Sequence, residues 1–131
     1  MIVIDASSVL ARALKDENNA EADKAVERAA LDGGLVPGNF HSEIVNGLIR
    51  AERRGRVDPV KAELILAEIL NLPLTLDVAE PHVIMAVARR YSLTAYDAAY
   101  LALALERRVP LATVDATLGA AAKAAKCRWK A

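Results

Sequence analysis

The chain has 131 residues, of which 54% are hydrophobic and 26% charged, with a formal net charge of zero. We read 1–131 as one domain, large enough to bury roughly two-thirds of its unfolded surface in a real core. This balance excludes a disordered chain, no apolar run reaches the ~20 residues of a membrane span, and Cys127, the one cysteine, permits no internal disulfide or cysteine-based zinc site.

Ile2-Val3-Ile4-Asp5 opens the chain as a short, apolar, β-branched run, which predicts a buried strand. Residues 7–15 follow as a helix, with Ser7 or Ser8 as its N-cap. Ala22, Ala25, Val26, Ala29 and Ala30 recur at helical spacing over 20–32, and Asp32-Gly33-Gly34 stops that helix. Leu35-Val36-Pro37 reads as a second strand, and a helix runs from Ser42 to Arg54, ending at Gly55. Asp58-Pro59 opens a further helix, because Asp caps well and Pro suits the first helical position. Pro73 to Leu76 reads as a strand, 81–91 as a helix, and Thr94 to Arg107 as another. Leu111 to Val114 forms a strand ending at Asp115, 116–125 an Ala-rich helix, and Cys127 to Trp129 a final edge strand. Strands alternating with helices predict an α/β/α sandwich: a short, mainly parallel sheet flanked by helices.

Charge is unevenly spread. Residues 1–80 hold 9 basic and 14 acidic residues, and residues 81–131 hold 8 basic and 3 acidic. Nucleic-acid contacts would therefore come from local patches, of which Arg50, Arg53, Arg54 and Arg56 form one and Lys123, Lys126, Arg128 and Lys130 another. Most such runs simply solvate a surface. An acid at position 5 and no basic leader segment argue against a secretory signal, so a reduced, cytoplasmic setting is expected.

In open α/β sheets, ligands sit beyond the carboxyl ends of the strands. Asp5 and Asp115 each follow a strand there. A lone Asp after a strand is ordinarily a helix cap, but two of them from distant segments ask for more. Asp97 sits in the first turn of the almost wholly apolar stretch Thr94 to Ala104. The helix dipole favours a carboxylate there, yet burial demands a partner. Glu43 likewise opens a helix whose apolar face is Ile44, Val45, Leu48 and Ile49. Four converging carboxylates would repel and raise one another's pKa values. A divalent cation relieves that repulsion, and with oxygen donors and no clustered His or Cys it should be hard: Mg²⁺ or Mn²⁺. Such a site suits hydrolysis of a phosphodiester.

Val3-Ile4-Asp5-Ala6-Ser7-Ser8-Val9-Leu10 resembles the opening of PIN-domain ribonucleases, and Ser42-Glu43-Ile44-Val45-Asn46-Gly47-Leu48 resembles their glutamate helix. Tyr96-Asp97-Ala98-Ala99-Tyr100-Leu101-Ala102-Leu103-Ala104 is similar to the family's most distinctive segment, and Leu111 to Leu118 to its last acidic strand end. The blocks occur in family order over essentially the whole chain. The small size most resembles VapC-type toxins of toxin–antitoxin pairs. The resemblance implies that Asp5, Glu43, Asp97 and Asp115 are the catalytic, metal-holding quartet. It puts Ser7, Asn46 and Thr113 close behind them. It further implies RNA as substrate (tRNA among the targets), a homodimer, and an inhibitory antitoxin protein. Many relatives carry one more acid soon after the last aspartate. Here Ala116, Leu118 and Gly119 offer none, which leaves the second metal position without that ligand.

Rival readings fare worse. No G-x-S-x-G elbow accompanies His41 or His82, which argues against a serine hydrolase, although His41 stands two residues before Glu43. A haloacid dehalogenase-type phosphatase needs an acid where Ser7 stands, and the six glycines form no phosphate loop. A receiver-type phosphotransfer domain would want paired acids after the first strand, and a Lys after the strand ending at Val114. Asp5 stands alone there and no such Lys exists. A PIN-like fold kept as an inactive binding module is the other alternative, and four intact acids speak against it. Tyr91, Tyr96 and Tyr100 could stack bases, but Tyr96 and Tyr100 lie four apart on a buried helix, where packing or a dimer interface is the simpler role. Trp129 is expected to plug the core. An apolar patch is expected at the dimer and antitoxin surfaces, with residues 8–15 and 42–54 lining the antitoxin groove.

Overall fold

The structure, a computed structural model, describes residues 1–15 and 19–131. Among the described residues, the strands are β1 (Ile2–Ile4), β2 (Gly34–Val36), β3 (Leu74–Leu76) and β4 (Leu111–Ala112). The helices are α1 (Ala6–Leu14), α2 (Ala20–Asp32), α3 (Phe40–Arg53), α4 (Pro59–Leu70), α5 (Pro81–Tyr91), α6 (Ala95–Arg107) and α7 (Ala116–Ala124). All strand pairs are parallel, in the order β3-β2-β1-β4. This is the expected α/β sandwich. A receiver-type sheet would place the third strand beside the first, and here β2 and β4 flank β1. Among the described residues no helix is long and apolar enough to cross a membrane.

The sheet is buried where sequence predicts. Every residue of β1 and β2 is buried, so helices cover both faces. Each Ile, Leu or Val taken fully out of water contributes about 1.5–3 kcal/mol. β3 is the exposed edge, with Leu76 at the surface. Helix α6 is the central helix: Ala98 to Ala104 are all buried, and its Ala and Leu residues are strong helix formers. Gly47 in α3 faces Leu10 so closely that a side chain there would collide with it, and this lets α1 and α3 pack tightly. Gly33 ends α2 at φ +83°, where a larger residue would be strained.

Several boundaries differ from expectation for local reasons. The cap of α1 is Asp5, not Ser7 or Ser8: β1 runs straight into the helix, and the extended Asp5 accepts from the Ser8 amide at 3.0 Å. Helix α3 starts at Phe40, whose ring is wholly buried. β4 stops at Ala112 because Thr113 leaves the ladder to bond Asp5. The expected strand at Cys127 to Trp129 is a single parallel bridge between Leu111 and Arg128, and Trp129 packs on the core half-buried. Of the two tyrosines on α6, Tyr100 is buried but Tyr96 is 67% exposed.

Candidate active site

The β1–β4 register builds the centre of the site. Val3 lies opposite Leu111 and Ile4 opposite Ala112. The Asp5 amide then donates to the Ala112 carbonyl at 3.1 Å, which sets Asp5 beside Thr113. Thr113 Oγ1 donates to Asp5 Oδ2 at 2.5 Å, and Ser7 Oγ lies 2.8 Å from both Asp5 oxygens. The same hydroxyls hold the chain after β4. The Asp115 amide donates to Thr113 Oγ1 at 3.0 Å, and the Val114 amide to Ser7 Oγ at 3.3 Å. Ser7 and Thr113 thus bind Asp5 directly and tie it to the segment carrying Asp115.

Asp5 is only 4% exposed. Burial pushes its carboxyl above the usual range, while bonds from Thr113, Ser7 and the Ser8 amide pull the other way. Among the described residues no cation forms an ion pair with it.

Glu43 arrives from α3 and is held from two sides. Tyr100 Oη donates to its Oε2 at 2.8 Å and Asn39 Nδ2 at 2.7 Å. Burial raises the Glu43 carboxyl against those two bonds, and the charges of Asp5 and Asp97 raise it further. Asp97 sits in the first turn of α6, where the Thr94 hydroxyl accepts from its amide at 3.2 Å. Burial and the Asp115 charge raise the Asp97 carboxyl. Asp115 caps α7 by accepting from the Leu118 amide at 2.8 Å. The four predicted acids are therefore electrostatic neighbours in a chain: Asp5 with Glu43, Glu43 with Asp97, Asp97 with Asp115.

Asn46, expected beside Glu43, is exposed and makes no hydrogen bond among the described residues; it lines a groove on the outer side of α3 with His41, Val45 and Ile49. Asn39, four residues before Glu43, takes that polar position instead. His41 turns away and packs edge-on against Phe40, with ring centroids 5.2 Å apart. Asn39 and Tyr100 are the residues that sequence reasoning missed. The signal for Tyr100 was its place three residues after Asp97 on a buried face, since a buried phenol requires an acceptor. Burial and the Glu43 charge push the Tyr100 hydroxyl far up, so it remains a donor.

Among the described residues, no group of three or more His, Cys, Asp or Glu side chains stands arranged to hold a metal ion by itself. The donor chemistry nonetheless suits Mg²⁺. That ion is commonly held by one or two carboxylates together with waters and substrate phosphate, rather than by an all-protein cage. A buried Asp5 carboxylate with neighbouring acids and no ion-pair partner among the described residues offers such a partial set.

Comparison with known proteins places the chain among relatives of one family. A family profile described as PIN domain matches residues 2–124. Ribonuclease VapC3 of Pyrobaculum aerophilum is 31% identical over 121 residues, covering 89% of this chain and 91% of that protein. Ribonuclease VapC3 of Mycobacterium tuberculosis is 28% identical over 120 residues, covering 92% and 86%. The crystal structure of PAE2754 from Pyrobaculum aerophilum superposes with a TM-score of 0.72 at 27% identity, covering 92% of this chain and 83% of that one. Mycobacterium tuberculosis VapC20, described as a sarcin–ricin loop cleaving toxin, shares the fold with a TM-score of 0.58 at 15% identity, covering 92% and 95%. With an all-parallel β3-β2-β1-β4 sheet and a profile match spanning residues 2–124, this chain belongs to the PIN domain family.

Proposed function

We propose that the protein is an endoribonuclease that requires Mg²⁺ or Mn²⁺, and that it is the toxin of a toxin–antitoxin pair. The observation that carries the reading is buried Asp5, held by the Ser7 and Thr113 hydroxyls with no ion-pair partner among the described residues, beside Glu43 fixed by Tyr100 and Asn39. The similarity to two ribonucleases named VapC3 supports the RNA substrate and the antitoxin partner. A homodimer fits the exposed apolar side chains Val60, Leu64 and Leu76. The inactive-module alternative has no comparable support.

In this mechanism Asp5 and Asp97 would hold the cation, which when bound would offset the phosphate charge and make water more acidic. Ser7 and Thr113 fix the Asp5 carboxylate by hydrogen bonds, so it does not reorganise as charge develops. Glu43 and Asp115 orient the attacking water. Glu43, raised by burial and fixed by Tyr100 and Asn39, accepts the proton of that water. The water oxygen bonds to phosphorus in line, and the opposite P–O bond breaks to release one RNA end. The test is cleavage of a tRNA and synthetic RNA panel with Mg²⁺, Mn²⁺ or EDTA, alongside Asp97→Asn. Discrete fragments that need both metal and Asp97 are expected. Fragments that persist with EDTA or in the variant would refute the assignment.

A further inference from the structure

We infer that a cationic cavity at the opposite end of β4 from the acids is a docking site for RNA backbone phosphates, an inference that rests on the nuclease reading. The cavity has a volume of about 420 Å³ and is lined by Arg108, Lys126 and Arg128 over an apolar floor of Leu105, Val109 and Pro110. Among the described residues no carboxylate lines it. Glu106, the nearest acid in sequence, is engaged by Arg107 and the Glu80 amide. The side chains of Arg108 and Lys126 are exposed and make no ion pair or hydrogen bond among the described residues. Arg128 is fixed instead, 4.0 Å from Glu21 and lying over Gly119.

Arg108 and Lys126 both hold left-handed φ values, 55° and 60°, where glycine would be unstrained. A helix dipole favours a cation at either position. It does not bring the ends of α6 and α7 together on one cavity free of carboxylates. The Pro110 carbonyl accepts from the Val3 amide, so the cavity opens at the start of β4, roughly 15 Å of extended chain from Asp115. A structured RNA engaging the acids can reach it, whereas a dinucleotide, whose single internal phosphate sits at the acids, cannot touch both. Phosphate contacts of this kind position a substrate without reading its sequence.

The left-handed geometry supplies a clean test. Arg108→Gly with Lys126→Gly removes both charges and relaxes the backbone, so the unfolding temperature should hold or rise. Arg108→Asn with Lys126→Asn serves as a second, equally compatible pair. Hairpin RNA binding is measured by fluorescence anisotropy in an Asp97→Asn background across salt concentrations. Loss of two phosphate contacts should flatten the slope of log affinity against log salt by about 1.5, so the deficit widens roughly eightfold from about 200 to about 50 mM salt. With Asp97 intact, cleavage of a dinucleotide should be unchanged. Equal affinity and slope in parent and variant would overturn the proposal. So would stabilisation by inorganic phosphate through Arg108 and Lys126 with RNA binding unaltered, which would mark a small-anion site. A protein that binds RNA through this pair yet never cleaves it would refute the nuclease reading and uphold the docking site.

Discussion

Thr113→Val tests how the site holds its buried acid. The substitution keeps the shape of the side chain and deletes the hydroxyl that bonds Asp5 at 2.5 Å and accepts from the Asp115 amide at 3.0 Å. A bond to a charged, buried acceptor is worth about 1.5–3 kcal/mol. The Asp115 amide stands near the surface and can turn to water, so it adds little. Ser7 and the Ser8 amide remain on Asp5. While Asp5 is ionised, a loss of about 2–3 kcal/mol follows, a large share of the 5–15 kcal/mol typical of a domain. For a chain of this size that is a fall in Tm of roughly 6–15 °C. The loss has a pH signature. Removing the hydroxyl raises the Asp5 carboxyl further, so the variant's native state gains a proton at higher pH than the parent's. The deficit is therefore full above the carboxyl's native titration in both proteins and shrinks as pH falls through it. Thr113→Ser, which keeps the hydroxyl, should retain most of the stability. Thermal melts with EDTA over a pH series provide the assay. A valine variant as stable as the parent, or one with the same deficit at every pH, would refute the reasoning.

Other consequences follow from the same contacts. Tyr100→Phe removes one of two donors to Glu43; RNA cleavage should fall about tenfold and the acid limb of its pH profile should move upward, and an unmoved limb would show that Glu43 does not titrate in the reaction. Asp5, Glu43 and Asp97 all have raised carboxyls, so the metal-free native state binds more protons than the unfolded chain. Its stability should increase as pH drops from neutral toward the ordinary carboxylate range, and added Mg²⁺ should abolish that slope in calorimetric scans. The exposed Asp77–Arg107 pair works in the opposite sense, since Asp77 is held low by the guanidinium 2.6 Å away. Asp58→Ala removes the N-cap of α4, which accepts from the Lys61 amide at 2.7 Å, and should cost about 1 kcal/mol by denaturant titration with no change in cleavage.

The parts of the fold that sequence made legible are those where local and global signals agree. Asp58-Pro59 and Thr94 begin helices where their side chains cap, and α2, α5 and α6 fall within a residue of expectation. Asp5 shows where such reading stops. Its neighbours Ser7 and Ser8 are equally good caps by residue type. Only the β1–β4 register reveals that Asp5 caps the helix itself while Ser7 and Thr113, 106 residues apart, meet on its carboxylate. The shortened β4 has the same origin, because Thr113 exchanges a ladder position for that bond. Asn39 and Asn46 each lie about one turn from Glu43 along the chain, on opposite sides of it, and only Asn39 bonds it while Asn46 is exposed. Glu43's link to Tyr100, 57 residues away, depends on how α3 and α6 pack and leaves no mark in spacing. The acids themselves were visible because charge in an apolar context is costly, whereas the hydroxyls and amides that hold them look like ordinary surface residues.

The central claim is that one acidic centre cleaves RNA with a divalent cation. Single-turnover cleavage of a tRNA substrate, titrated with Mn²⁺ from an EDTA-treated baseline, tests it most directly for the parent and for Asp97→Asn. The account predicts a rate that rises from zero and saturates with Mn²⁺ in the parent, and a variant slower by at least about a hundredfold at every concentration. A parent rate independent of Mn²⁺, or a variant that matches the parent, would contradict it.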